Sequence, residues 1–261
     1  PTAIGCGHTF ILKTSPKTPI SAGLLYEVLH DLDLPEGVVN LIQGGKEASM
    51  AVMEHPGIKG VSFVGSTPVA KLVYETCTKH GKRVQAQGGA KNYIAVLPDA
   101  DMAASVKNIM GAAYGCAGQR CLAAAVVVAV GDAHDKLKEE LVKQAGNLRV
   151  GYGLNETTQM GTVVSAAAKE RIERMITQGI EQGATPALDG RNTQVSGYEG
   201  GNFVGPTIVE NVTPDNILAK EEVFGPVLAI MKANDFDEAI DIINSSKYGN
   251  AASLFTTNGG Y

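Results

Sequence analysis

The chain has 261 residues, 44% hydrophobic and 19% charged, which excludes a disordered chain and suits one large domain or two smaller ones. A formal net charge of −5 argues against a general grip on nucleic acid through a basic face. The longest apolar run, 122–130, spans nine residues, well short of the roughly 20 that a membrane-spanning helix needs. Short apolar runs alternate with amphipathic stretches, the pattern of α/β architecture.

In chain order, residues 8–12 predict a strand, 21–32 a helix, 38–42 a second strand and 47–54 a short helix. A third strand follows at 60–64, then a helix at 68–79 with Pro68 in its first turn, where a missing N–H costs nothing, and a fourth strand at 82–87. Connections this short fit right-handed crossovers onto a parallel sheet. The Gly88-Gly89 step marks a boundary, and the expected domains are 1–90 and 91–261. Beyond it, 94–97 is apolar, and 101–114 has helical spacing with Val106, Ile109, Met110 and Ala113 on one face. A buried strand at 124–130 precedes a charged helix at 135–144 and the longest helix, 165–182, capped by Ser165. A polar glycine-rich stretch, 189–201, leads to strands within 203–210 and 227–231, a helix at 235–244 and a last strand at 251–257. Pro1 opens the chain without a basic and apolar leader, and Tyr261 closes it just after a strand. We therefore expect an internal piece of a longer protein.

Four cysteines without paired CxxC units predict neither a disulfide framework nor a structural zinc site, and a reducing compartment fits them. Cys6 and Cys77 are expected in the core. The histidines are scattered and suggest no Cys–His pair. Three segments remain that carry suitable residue types. In Gly115-Cys116-Ala117-Gly118-Gln119-Arg120-Cys121, the glycines allow a tight turn whose N–H groups, with Arg120, would favour a thiolate. The same turn also suits cysteines that are only small packing residues. Phe63-Val64-Gly65-Ser66-Thr67-Pro68 joins a strand to a helix, where helical N–H groups and the dipole favour an anion, although most such turns are mere connections. In Glu221-Glu222-Val223-Phe224-Gly225-Pro226, a rigid turn fixes a carboxylate and a ring towards a pocket, or the carboxylates are simply solvated.

Together these segments resemble the aldehyde dehydrogenase superfamily. Its nucleophile motif GQxC stands here as Gly118-Gln119-Arg120-Cys121, its cofactor turn as Phe63-Val64-Gly65-Ser66-Thr67, and its EExFGP motif as Glu221-Glu222-Val223-Phe224-Gly225-Pro226. Asn202-Phe203-Val204-Gly205-Pro206-Thr207 is similar to a further family block, and the motifs keep the family's order. The resemblance covers essentially all of the chain, roughly the middle half of a family member. His80-Gly81-Lys82-Arg83-Val84-Gln85 and Gly89-Ala90-Lys91-Asn92 look like the CoA-acylating branch that oxidises methylmalonate semialdehyde.

The resemblance implies an α/β fold in which part of a Rossmann-type NAD-binding domain (1–90) precedes most of a catalytic thiol domain (91–261). Cys121 would be the catalytic nucleophile, and its backbone N–H one oxyanion donor. The family's partner donor, an Asn side chain, would lie upstream of Pro1. Lys13 matches the lysine that holds the adenosine ribose of NAD, with Pro16 in place of the usual acidic partner. Gly65 and Ser66 match the pyrophosphate contact, and Glu222 and Phe224 the residues that place the nicotinamide ribose and ring.

Gln87 replaces the glutamate that activates water in hydrolytic members, and an amide has no lone pair basic enough for that task. The implied reaction is therefore oxidation of methylmalonate or malonate semialdehyde by NAD with acyl transfer to CoA as co-substrate and loss of the β-carboxylate. A hydrolytic semialdehyde dehydrogenase and a non-catalytic fragment are the rival readings. The implied partners are the small-molecule semialdehyde and CoA, with a homo-tetramer or homo-dimer for the full-length chain and no metal, nucleic acid or membrane. The implied compartment is the cytoplasm of a bacterium or the mitochondrial matrix of a eukaryote. Cys116 is expected to pack beside the nucleophile, and Lys91 to order the domain junction.

Overall fold

A computed structural model describes residues 1–261, which divide into two compact units, Pro1–Gly88 and Gly89–Tyr261. The division falls at the Gly-Gly step itself, two residues before the boundary expected at 90/91.

The first unit runs α1 (Thr2–Gly5), β1 (Phe10–Lys13), α2 (Pro19–His30), β2 (Val39–Ile42), α3 (Lys46–Glu54), β3 (Gly60–Val64), α4 (Thr67–Lys79) and β4 (Arg83–Gln87). Strand–helix–strand order makes both pairings parallel, Phe10 opposite Val39 and Gly60 opposite Arg83. The four strands form two separate pairs rather than one continuous sheet. Around β3 and β4 a small core gathers Met53, Val73 and Cys77, with Phe63 and Val84 packed on it. That core does not reach Cys6, which follows the one-turn helix α1 and is exposed, correcting the expectation of a buried thiol. Helix α2 buries no residue and turns Ile20, Leu24 and Val28 outwards at i, i+4 spacing.

The second unit carries the main core. It runs β5 (Tyr93–Val96), α5 (Met102–Tyr114), a 3-10 turn (Gly115–Gly118), β6 (Val126–Val130), α6 (Ala133–Gly146), α7 (Ala166–Glu181) and β7 (Thr185–Leu188). It continues through β8 (Thr207–Glu210), α8 (Ile217–Lys220), β9 (Val227–Ala233), α9 (Phe236–Asn244) and β10 (Ala252–Phe255). The strands form one sheet in the order β10-β5-β6-β9-β8-β7, parallel except for β7 at the edge. Every residue of β6 is buried, which explains its unbroken Val-Val-Val-Ala-Val run, since a central parallel strand is covered on both faces.

Helix starts follow their caps. Asp101 accepts a hydrogen bond from Ala104 N–H (2.9 Å), Ser165 from Ala168 N–H (3.2 Å) and Asp235 from Glu238 N–H (2.9 Å). The strand expected across 203–210 begins only at Thr207. Pro206 has no N–H for a ladder, and Gly205 N–H is already taken by Gly190 O at 2.8 Å. No helix is long and apolar enough to cross a membrane.

Candidate active site

The turn that leads to Cys121 is built where α5 ends. Tyr114 is fully buried and donates from its hydroxyl to Thr207 O at 3.1 Å, fixing the helix end to the start of β8, and burial pushes its phenol far up. Cys116, Ala117 and Gly118 then take left-handed backbone conformations, with φ of 57°, 51° and 69°. For the two non-glycines this costs about 1–2 kcal/mol each, a strain characteristic of functional turns. It also turns Cys116 out to solvent, so that residue is not the packing group expected. Gly118 has no alternative, because a Cβ there would fall 2.1 Å from Gly225 O.

Beyond the strained residues, side-chain amides hold the loop. Gln119 Nε2 donates to Cys116 O (3.2 Å) and Thr162 O (3.3 Å), while its Oε1 accepts from Val164 N–H (2.8 Å). Arg120 lays its guanidinium over Gly115, where a Cβ would meet Nη1 at 2.6 Å. Cys121 is exposed, and its carbonyl accepts from Asn92 Nδ2 (2.8 Å) and Asn250 Nδ2 (2.7 Å).

The Glu221–Pro226 loop faces the same place. Lys91 Nζ donates to Glu221 O at 2.9 Å, while the Glu221 carboxylate pairs with Lys247 at 2.5 Å. Glu222 is half-buried and accepts from Ala90 N–H. Burial raises its pKa, against the pull of that hydrogen bond and of the Lys91 and Arg171 charges. Burial likewise pushes the Lys91 ammonium down to about 7, opposed by Glu222 and Glu221. Phe224 sits at φ 48° and remains 37% exposed, held in a left-handed turn rather than packed away. Ala90, Asn92, Gly118, Arg120, Glu222 and Phe224 line one pocket of about 20 Å³, room for roughly one water molecule. The second unit thus brings together two segments singled out in the sequence that lie about a hundred residues apart.

In the first unit, Lys13, Ser66 and Gln87 stand at the carboxyl ends of parallel strands, the end at which open α/β sheets take ligands. Lys13 is half-buried and donates to Gly44 O at 3.2 Å. Ser66 is the exposed N-cap residue of the 13-residue helix α4, yet its hydroxyl makes no capping bond and is open to a ligand. Gly65 lies against the Phe63 ring, where a Cβ would be 2.5 Å from Cζ, and its N–H donates to Gln87 O at 3.1 Å. The β3 and β4 ends are thereby tied together.

Sequence reasoning missed the grip of Gln119, Asn92 and Asn250 on the Cys116–Cys121 loop and the burial of Lys91. Gln119 and Asn92 lay within quoted motifs, whereas nothing in the local sequence marks Asn250. No group of three or more His, Cys, Asp or Glu side chains is placed to hold a metal ion.

This arrangement has close counterparts. A malonate-semialdehyde dehydrogenase of Halalkalibacterium halodurans is 47% identical over 99% of this chain and 53% of its own length. The human mitochondrial acylating methylmalonate-semialdehyde/malonate-semialdehyde dehydrogenase is 46% identical over 99% of this chain and 48% of its own. The crystal structure of the Oceanimonas doudoroffii methylmalonate-semialdehyde dehydrogenase superposes with a TM-score of 0.96 at 41% identity, covering 100% of this chain and 54% of that one. A Sinorhizobium meliloti structure described by the same activity and complexed with NAD gives 0.95 at 42% identity, covering 99% of this chain and 53% of that one. The chain spans about half the length of the curated relatives it matches. With its fold shared at this level and the family profile matching residues 1–260, the chain belongs to the aldehyde dehydrogenase family.

Proposed function

We propose that the chain supplies the nucleophile and the cofactor-side residues of an NAD-dependent semialdehyde dehydrogenase that transfers its acyl group to CoA. The observation that carries this reading is the exposed Cys121 at the end of a strained, amide-anchored turn that shares a pocket with Glu222 and Phe224. The names of the relatives support the substrate class, methylmalonate and malonate semialdehyde.

The residues present fit NAD. In the first unit, Ser66 at the positive end of α4 suits a pyrophosphate and Lys13 a ribose hydroxyl, and in the second unit Glu222 suits a ribose and Phe224 an aromatic ring. When bound, NAD supplies the hydride acceptor. Cys121 attacks the aldehyde carbon as thiolate, giving a thiohemiacetal whose oxyanion needs donors already in position, of which Cys121 N–H is one. Loss of hydride from that carbon leaves a thioester on Cys121. The β-carboxylate departs as carbon dioxide, the bonding pair left on the α-carbon taking up a proton, and a CoA thiolate displaces Cys121, whose thiolate leaves as the acyl group is carried away.

Gln87 cannot take a proton from water, so the thioester should last until the thiol arrives. Arg120 fits the same substrate class, because its exposed guanidinium beside the nucleophile is not engaged by a carboxylate of the protein and suits an acidic substrate.

The test is NADH formation from methylmalonate semialdehyde by the full-length parent protein, with and without CoA, with acyl-CoA followed by mass spectrometry. Strong CoA dependence and propionyl-CoA are expected, and Cys121→Ala should abolish turnover. Equal rates without CoA would return the reading to a hydrolytic enzyme. Gln87→Glu should raise CoA-independent turnover by about tenfold or more, within the reach of a restored general base. An unchanged hydrolysis rate would remove Gln87 as the discriminator.

A further inference from the structure

We propose that Asn92 and Asn250 are paired positioning residues of the nucleophile, their side-chain amides jointly fixing the Cys121 carbonyl and with it the peptide that bears the thiol. This rests on the reading of Cys121 as the acyl-accepting nucleophile.

Residues 120–122 are exposed, lie outside any helix or strand, and are closed within the turn by a bond from Ala123 N–H to Arg120 O at 3.0 Å. What ties the turn to the rest of the fold here is side-chain amide. Asn92, only 6% exposed, donates from Nδ2 to both Cys121 O (2.8 Å) and Ala123 O (2.9 Å). Its own carbonyl accepts from Ala125 N–H (3.3 Å) and Val126 N–H (3.2 Å) at the entry to β6, so it is anchored from both sides.

Asn250 completes the arrangement. Its Nδ2 donates to Cys121 O at 2.7 Å and to Asn92 Oδ1 at 3.2 Å. The second bond settles which way the Asn92 amide faces, because its oxygen is taken and its nitrogen must then point at the two carbonyls. With a donor for each of its two lone pairs, the Cys121 carbonyl has a fixed peptide plane. An exposed thiol on an irregular loop thereby gains a defined direction. Amides suit the task because they add no charge beside a thiolate. A carboxylate there would face the carbonyl oxygen with acceptors alone.

The chemistry of the clamp predicts an order of effects that mere packing does not. In the full-length protein, Asn250→Ala removes the donor, whereas Asn250→Asp keeps the shape and turns the donor into an acceptor. We expect kcat to fall about 10- to 100-fold in Asn250→Ala, the cost of a small misplacement of the attacking atom. A larger loss is expected in Asn250→Asp, with KM for NAD within about 2-fold in both. Alkylation of Cys121 by iodoacetamide, followed by mass spectrometry without substrates, should slow in the same order.

A packing role would make Asp, the near-isostere, the milder change, and that order would overturn the proposal. So would kcat and alkylation rates within about 2-fold of the parent in both variants. Asn250 is exposed, so these variants test the idea even if the buried Asn92→Ala does not fold. The alkylation arm needs no turnover. Activity surviving in Cys121→Ala would sink the acyl-transfer reading, while unaltered alkylation in both Asn250 variants would sink the positioning.

Discussion

Lys91 holds its ammonium where only 3% of the residue meets solvent, with a backbone carbonyl as its hydrogen-bond acceptor and two glutamates for company. Burial wins over those glutamates, and the folded pKa falls from 10.5 to about 7. Because the folded value lies below the unfolded one, the unfolded chain binds more protons between about pH 7 and 10.5, and stability rises with pH across that window. Glu222 acts with the opposite sign, since its raised pKa makes its charged form a cost from the unfolded value of 4.5 upwards. Thermal denaturation from pH 7 to 9.5 should therefore show the parent gaining on Lys91→Met by at least about 2–4 °C, the shift that about 1 kcal/mol gives in a chain of this size. Parallel profiles would mean that Lys91 keeps its ordinary pKa in the fold and stays charged across that range. None of this was legible in the sequence. A lysine after Gly-Gly-Ala says nothing about a buried contact with the Glu221 carbonyl, 130 positions away. Cys121, by contrast, was singled out through the motif Gly118-Gln119-Arg120-Cys121, since the turn by itself suits packing cysteines equally well.

At the scale of elements, the Cys116–Cys121 turn and the Glu221–Pro226 loop are interlocked through two glycines. Gly118 combines a φ of 69° with a Cβ position 2.1 Å from Gly225 O. Gly118→Ala should cost about 2–5 kcal/mol, from left-handed strain and a collision with backbone that cannot yield, and should lower kcat with it. Gly146→Ala is the control: this residue ends α6 with nothing within 4 Å of a Cβ, so stability should hold or rise by about 0.4–1 kcal/mol. Denaturant unfolding of the two variants measures the contrast, and equal stability would show that the loops separate easily.

The longer helices could be read from period and cap, as Ser165 bears out. Strand β7 could not. It is four residues long, contains Pro186 and pairs through a bulge at the antiparallel edge, so it carries neither alternation nor an apolar run. The four-residue helix α8 is too short to have a period.

For the molecule as a whole, the alternation of strands and helices gave the α/β class and the parallel pairings, and the Gly-Gly step coincides with the division between the units. Strand order in the second unit was out of reach. Periodicity identifies which face of a strand is buried and is silent about its neighbours, and the order β10-β5-β6-β9-β8-β7 places the last strand beside the first of that unit. That adjacency sets Ala252 opposite Tyr93, and it brings Asn250 to Asn92 and to Cys121 across 129 residues of sequence.

It also imposes a schedule. A ribosome that has released Cys121 must add those 129 residues before Asn250 follows, roughly 6–26 s at about 5–20 residues per second. Throughout that interval the thiol lacks one of the two amides that orient it. Under the proposed clamp, the nascent chain therefore carries a Cys121 thiol whose aim is completed only when the segment leading into β10 arrives.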